Sequence, residues 1–254
     1  MISPEEYFQK YLKDKNEKEI LKQIQKIKRK INKLKRIIEE KNIAEAHSFP
    51  NIELQISYNR LYLKEGVKAL ENLGKIYTPS RFELKSFKFN ENIKNISNLC
   101  FSIGGYFDGY NIYNIDITSA EAKITVSHSF SPLSEDINFD SKTFYINKKN
   151  FLKKLKSFYI GEWKRYYCQP EICDGTQWDL TIKFTNEIKV LKYGGDNGFP
   201  YNFAEFKKFI KNYKRKEKTK CLNWQPWYQP GYGLEYLDLS IQFFTIGKKL
   251  KKLN

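Results

Sequence analysis

Arginine is scarce in this chain: only 6 of its 45 basic residues are Arg, so the forked guanidinium that grips base edges is rare and phosphate contact would fall to lysine point charges. Cysteine is scarce as well. Cys100, Cys168, Cys173 and Cys221 are too few for a disulfide framework in 254 residues. No window approaches the roughly 20 apolar residues of a membrane span, and the N-terminus "MISPEEYFQKYLKDK" has no apolar stretch of signal-peptide type. These absences predict a cytoplasmic protein without a membrane partner.

What is abundant is lysine and aromatic carbon. A 41% hydrophobic, 16% aromatic chain has ample material for a core, and 18 Tyr with 19 Phe leave some rings as contact surface. The net charge of +16 suits an anionic partner. Ile and Asn are also frequent, as an AT-rich genome produces, and codon bias alone would spread lysine everywhere. It is not spread evenly. Residues 1–75 hold 17 basic and 11 acidic residues, 76–140 hold 5 and 8, 141–215 hold 16 and 7, and 216–254 hold 7 and 3. The surplus therefore concentrates beyond residue 140, which favours a built anion-binding face.

Local signals give the elements. Ser3-Pro4-Glu5-Glu6 starts a helix with a capping box. Beyond it Ile20, Ile24, Ile27, Ile31, Leu34 and Ile38 recur at alternating steps of four and three, a heptad seam in otherwise wet sequence. A second helix from about Pro50 to Gly74 repeats Ile52, Ile56, Leu63, Val67 and Leu70, with Asn59 interrupting. The short link favours an antiparallel helical hairpin over parallel dimerisation. "TPSRFE" offers another cap. Residues 96–130 then read as a three-stranded antiparallel meander with turns at Gly104-Gly105 and Asp108-Gly109. Phe151, Leu152, Leu155 and Phe158 mark a lysine-rich helix, a strand pair follows at about 176–193, and Asn202 is placed to cap a second lysine-rich helix with Phe203, Phe206, Ile210 and Tyr213 on its apolar face. The C-terminal region holds the aromatic, Pro-containing loop "NWQPWYQPGYG", a strand "LEYLDLSIQFFTIG" and a basic tail.

The stretch "DGTQWDLTIKFTNEIKVLKYGGDNGFPYNF" (174–203) tests for chemistry. Asp174 or Asp179 followed by Glu187-Ile188-Lys189 loosely matches metal-dependent nucleases, but Glu187 lies beside the turn where the pattern needs it inside a strand. Cys168 and Cys173 lack the paired spacing of a zinc site, and nothing positions His47 or His128 for a Cys-His nucleophile. Gly194-Gly195-Asp196-Asn197-Gly198 lacks the Gly-Lys-Ser/Thr ending of a phosphate loop. A structural reading fits better: Gly175 turns the chain, Trp178, Leu180 and Ile182 alternate on a buried face, Asn186 makes the turn, and Asn197 to Asn202 launch a helix. No cofactor and no metal is expected.

Residues 160–206 carry Trp-Lys-Arg-Tyr-Tyr, Asp-Gly-Thr-Gln-Trp and a Gly-x-Asn-x-x-Pro-x-Asn-Phe ending. This pattern resembles a module recurring in uncharacterised bacterial proteins. The resemblance implies a bacterial or phage origin and transfers no catalytic residue.

Together these features predict an α+β protein: an N-terminal antiparallel helical hairpin, coiled-coil-like, over residues 1–76, then a mainly antiparallel β-sheet body with two basic amphipathic helices over 77–254. The expected function is a non-catalytic nucleic-acid or ribonucleoprotein-binding protein, RNA or DNA. Its phosphate contacts would be Lys153, Lys154, Lys156, Lys164, Arg165, Lys207, Lys208, Lys211, Lys214 and Arg215, with Trp224, Trp227 and Tyr228 as stacking platforms. The alternative is a protein-interaction module, such as an inhibitor or adaptor in phage defence or counter-defence, docking through residues 17–74 and exposed aromatics. A metal-dependent nuclease is third.

Overall fold

Ser3 caps helix α1 (Pro4–Tyr11): its hydroxyl accepts from the Glu6 amide at 3.1 Å, and the Glu6 carboxylate accepts from the Ser3 amide at 2.9 Å. The chain does not continue straight into the isoleucine seam. Asp14 adopts a left-handed conformation (φ 57°), and Asn16 opens helix α2 (Glu17–Glu39) with a second capping box closed by Glu19. The computed structural model describes residues 1–40, 51–130, 141–172, 175–185 and 189–213. Among them Met1–Tyr213 form one compact unit.

Helix α3 (Ile52–Asn72) packs on α2. Ile20, Ile24, Ile27, Ile31 and Leu34 are buried, and so are Ile52, Ile56, Val67 and Leu70 of α3. Gly66 is what lets the two backbones approach, since a Cβ there would meet Ile24 Cγ1 at 2.8 Å. Glu17 pairs with Lys75 at 2.8 Å across the far end. Leu63, expected in the seam, is only half-buried, and Tyr62 is buried in its place because it stacks on Tyr7 of α1 with centroids 4.1 Å apart. Asn59 is tolerated in the buried row because its amide donates to the Gln55 carbonyl at 2.7 Å.

Helix α4 (Arg81–Asn92), capped by Ser80, leads into a seven-stranded sheet: β1 (Ile96–Gly105), β2 (Gly109–Asp116), β3 (Glu121–Ser129), β4 (Lys142–Asn147), β5 (Tyr166–Cys168), β6 (Gln177–Phe184) and β7 (Leu191–Asp196). The order is β4-β3-β2-β1-β6-β7-β5, antiparallel except for the β5/β7 pair. The meander is as its alternation predicts. Strands β4 and β5 had no signal strong enough to read, being six and three residues long.

One sheet face is apolar. Leu99 and Phe101 of β1, Ile115 of β2, Ile124 of β3, and Trp178, Leu180 and Ile182 of β6 are fully or almost fully buried there. Helices α5 (Lys148–Lys156) and α6 (Phe203–Asn212) contribute Phe151, Leu155, Phe206 and Ile210 to the same core. The opposite face carries Asn98, Cys100 and Ser102 of β1 in register with Asp116, Asn114 and Ile112 of β2 and with Lys183, Thr181 and Asp179 of β6.

The segment 160–206 is tied internally. Asn197, left-handed at φ 56° and buried, accepts from the Thr176 amide at 2.7 Å and donates to the Ile172 carbonyl at 3.0 Å. A Cβ on Gly175 would collide with that amide group, which is why glycine stands there. Trp178 Nε1 donates to the Gly198 carbonyl at 2.9 Å. Asn202 occupies the cap position of α6 but caps nothing. Its Oδ1 accepts from Trp163 Nε1 at 3.0 Å and its amide donates to the Phe158 carbonyl at 2.6 Å, so the expected capping role is replaced by a buried cross-link.

Candidate functional site

The metal-site constellation can be placed only in part. Asp179 lies on the open sheet face, opposite Gly194 on β7 and Ser102 on β1, while Lys189 is exposed after β6. Partial burial raises the Asp179 carboxyl and Lys192 opposes the shift. Asp174, Asn186, Glu187 and Cys173 lie outside the described residues. Among the described residues, no group of three His, Cys, Asp or Glu side chains could hold a metal ion. Cys100 is a half-buried free thiol pushed up by burial, and Cys168 is free and exposed.

The lysines assigned to phosphate contact divide by environment. On α5, Lys153 and Lys154 are exposed and Lys156 is half-buried, with Lys154 Nζ 5.4 Å from the centre of the Phe158 ring. On α6, Lys208 and Lys211 are exposed and Lys207 is half-buried. The two helices meet through aromatic rings: Phe151 stacks on Phe209 at 5.3 Å, and Phe158 contacts both Phe206 (5.6 Å) and Phe209 (5.2 Å). Lys164 and Arg165 are engaged nearby. Lys164 pairs with Glu39 of α2 at 2.7 Å, and Arg165 donates to the Lys192 carbonyl at 3.1 Å with its guanidinium 5.1 Å from the Tyr193 ring. Lys214, Arg215, Trp224, Trp227 and Tyr228 lie outside the described residues.

The strongest electrostatic feature is one that charge counting by segment did not single out. Glu162, in the turn before Trp163, accepts a bidentate pair from Arg60 of α3 at 3.1 and 2.9 Å and is bonded by Lys35 of α2. Arg60 also donates to the Tyr201 hydroxyl at 2.8 Å and lies 3.6 Å from the centre of the Tyr159 ring. Burial works to raise the Glu162 carboxyl, but Arg60 and Lys35 outweigh it and bring it down to about 2. This node fastens both long helices to the segment that carries Trp163. Both oxygens of the carboxylate are bonded to cations of the chain itself, so its chemistry is structural.

A second node repeats the arrangement. Glu83 of α4 accepts from Lys28 Nζ at 2.8 Å, from the Tyr77 hydroxyl at 2.6 Å and from the Ser80 amide at 2.7 Å. Burial opposes its ionisation, yet these three bonds hold its carboxyl below the ordinary range. Lys28 and Lys35 are seven residues apart, two turns of α2, and each turns toward the rest of the unit to meet a carboxylate.

The other cations of α2 are different. Between Ile20 and Ile38 the helix contains no acidic residue, and Lys22, Lys26, Arg29, Lys30, Lys33 and Arg36 are all exposed. None of the six has an ion-pair partner among the described residues, where Glu17, Glu19, Glu39, Glu83 and Glu162 are each bound to another cation and Glu40, four residues beyond Arg36 at the C-cap, is exposed. A 3.6-residue reading of charge in this helix would have found them; a net charge over residues 1–75 averages them with the acids at both ends.

No protein-family model matches the chain, and no curated protein or solved structure matches it. Among the described residues no helix is long and apolar enough to cross a membrane.

Proposed function

We propose that this is a non-catalytic nucleic-acid-binding protein that contacts phosphates through the lysines of α5 and α6. One observation carries the reading. The two helices share a single aromatic floor, Phe151 on Phe209 and Phe158 against Phe206, so the sides bearing Lys153, Lys154, Lys208 and Lys211 turn away from the same core. Two short helices packed into one core would in this reading present their cations to one polyanion, and lysine without arginine suits the backbone rather than the bases. The N-terminal pair acts in this reading as an antiparallel hairpin braced on the body by Glu162.

The test is the salt dependence of binding by the full chain. Log affinity should fall steeply with log salt, and Lys207→Gln with Lys208→Gln and Lys211→Gln should flatten that slope by roughly 2–3. Binding that ignores salt, or no binding at low salt, ends the reading.

The protein-interaction alternative retains one observation. Tyr106 and Phe107 in the β1–β2 turn and Phe130 after β3 are 80%, 73% and 75% exposed. Its other support is largely used inside the chain, because Ile20, Ile24, Ile27, Ile31 and Leu34 of the seam are buried and Ile38 is half-buried. A tightly co-purifying protein released by Tyr106→Asp and Phe107→Asp would favour it.

A further inference from the structure

We propose that the outward face of α2 is a second nucleic-acid surface, separate from the lysines of α5 and α6, and that it seats in the major groove of B-form duplex DNA. At 3.6 residues per turn, Lys22, Lys26, Arg29, Lys30, Lys33 and Arg36 fall within an arc of about 120°, on the side of the helix away from the isoleucine seam. From Lys22 to Arg36 the helix rises about 21 Å. Gln25 and Asn32, exposed hydrogen-bonding amides, flank one edge of the arc, and no acid interrupts the run from Lys22 to Arg36.

The arrangement opposes helix stability. Lys22 with Lys26, Lys26 with Lys30, and Arg29 with Lys33 are like charges one turn apart, which destabilises a helix. The same helix shows how such charges are relieved, since Lys28 and Lys35 each have a carboxylate. Six exposed cations left unneutralised along one line form the surface that releases counterions from a polyanion.

Shape and chemistry select the partner. An amphipathic helix that binds a membrane must present an apolar face, and the apolar face of α2 is packed on α3. A protein interface centres on apolar or aromatic anchors with few charges at its core, and the arc has no such anchor. An α-helix with its side chains is about 10–12 Å across, which the B-DNA major groove of about 12 Å admits, whereas the A-form groove is too narrow. Because α3 lies behind the seam, the outward half of α2 projects.

The experiment titrates the full chain with mixed-sequence duplex DNA of about two helical turns, and in parallel with duplex RNA of the same sequence. Lys22→Gln, Lys26→Gln, Lys30→Gln and Lys33→Gln are combined, and urea unfolding confirms that the variant folds. Replacing the four should lower the log–log salt slope for DNA by about 3–4 and weaken binding roughly 10²–10³-fold at 0.1 M salt, with RNA affinity changed far less. An unchanged DNA slope overturns the proposal, and so does an equal loss on RNA. The α5/α6 reading is judged separately by the Lys207, Lys208 and Lys211 variant on both duplexes, so either surface can fail alone. If the wild type binds neither duplex at low salt, both fail.

Discussion

Helix α2 carries two populations of cation with opposite fates. Lys28 and Lys35 face the rest of the unit, are largely covered, and meet Glu83 and Glu162. Lys22, Lys26, Arg29, Lys30, Lys33 and Arg36 face away and meet nothing among the described residues. Both groups are cations drawn from the same stretch of helix, lysine in the main, so composition does not separate them. What separates them is angular position: a lysine turned inward must be neutralised to be buried, while one turned outward keeps its full charge for a partner. The lysines of α2 thus divide into a fastening and, in the proposal above, a docking face.

The inward group is the easier to break. Glu162→Gln leaves Arg60 and Lys35 covered without their carboxylate, and should destabilise the protein by about 3–5 kcal/mol in urea unfolding near neutral pH. A loss under about 1 kcal/mol would mean that the node is not what holds the long helices to the body. The pH dependence sharpens the point. Because the folded-state carboxyl is depressed to about 2 from an ordinary 4.5, its contribution is fully present above about 4.5 and is lost as pH falls toward 2. Wild type should therefore lose stability over that window more steeply than Glu162→Gln, measured by urea midpoints at a series of acid pH values.

The outward group should respond in the reverse sense. Lys26→Gln with Lys30→Gln removes like-charge neighbours one turn apart, and stability should stay within about 0.5 kcal/mol of wild type or rise slightly. A loss comparable to that of Glu162→Gln would show that these side chains have structural partners, and the division of α2 into two faces would fall.

Much of this was legible in the residues. The steps of four and three from Ile20 to Ile38, the caps at Ser3 and Ser80, and the alternation of the meander each rest on a local signal, and the structure shows the seam buried from Ile20 to Leu34, Ile38 half-buried and the strands paired. Sheet order was not legible, because β1 pairs with β6 some eighty residues later and no local signal encodes that register. Asn202 misled for a similar reason: its position before an apolar helical run marks a cap, but Trp163, close in space and distant in sequence, competes for its oxygen. The Glu162 node joins three separate segments and has no motif. The outward arc of α2 was present in the sequence as an absence of acids between Ile20 and Ile38, and counting charge over whole segments concealed it.

The most direct test of the two-faced helix is lysine acylation footprinting of the full chain with and without duplex DNA. The account predicts that Lys22, Lys26, Lys30 and Lys33 react readily alone and are protected by DNA, while Lys28 and Lys35 react slowly in both conditions. Equal reactivity of all six without DNA, or protection by DNA that leaves the outward four untouched, would contradict it.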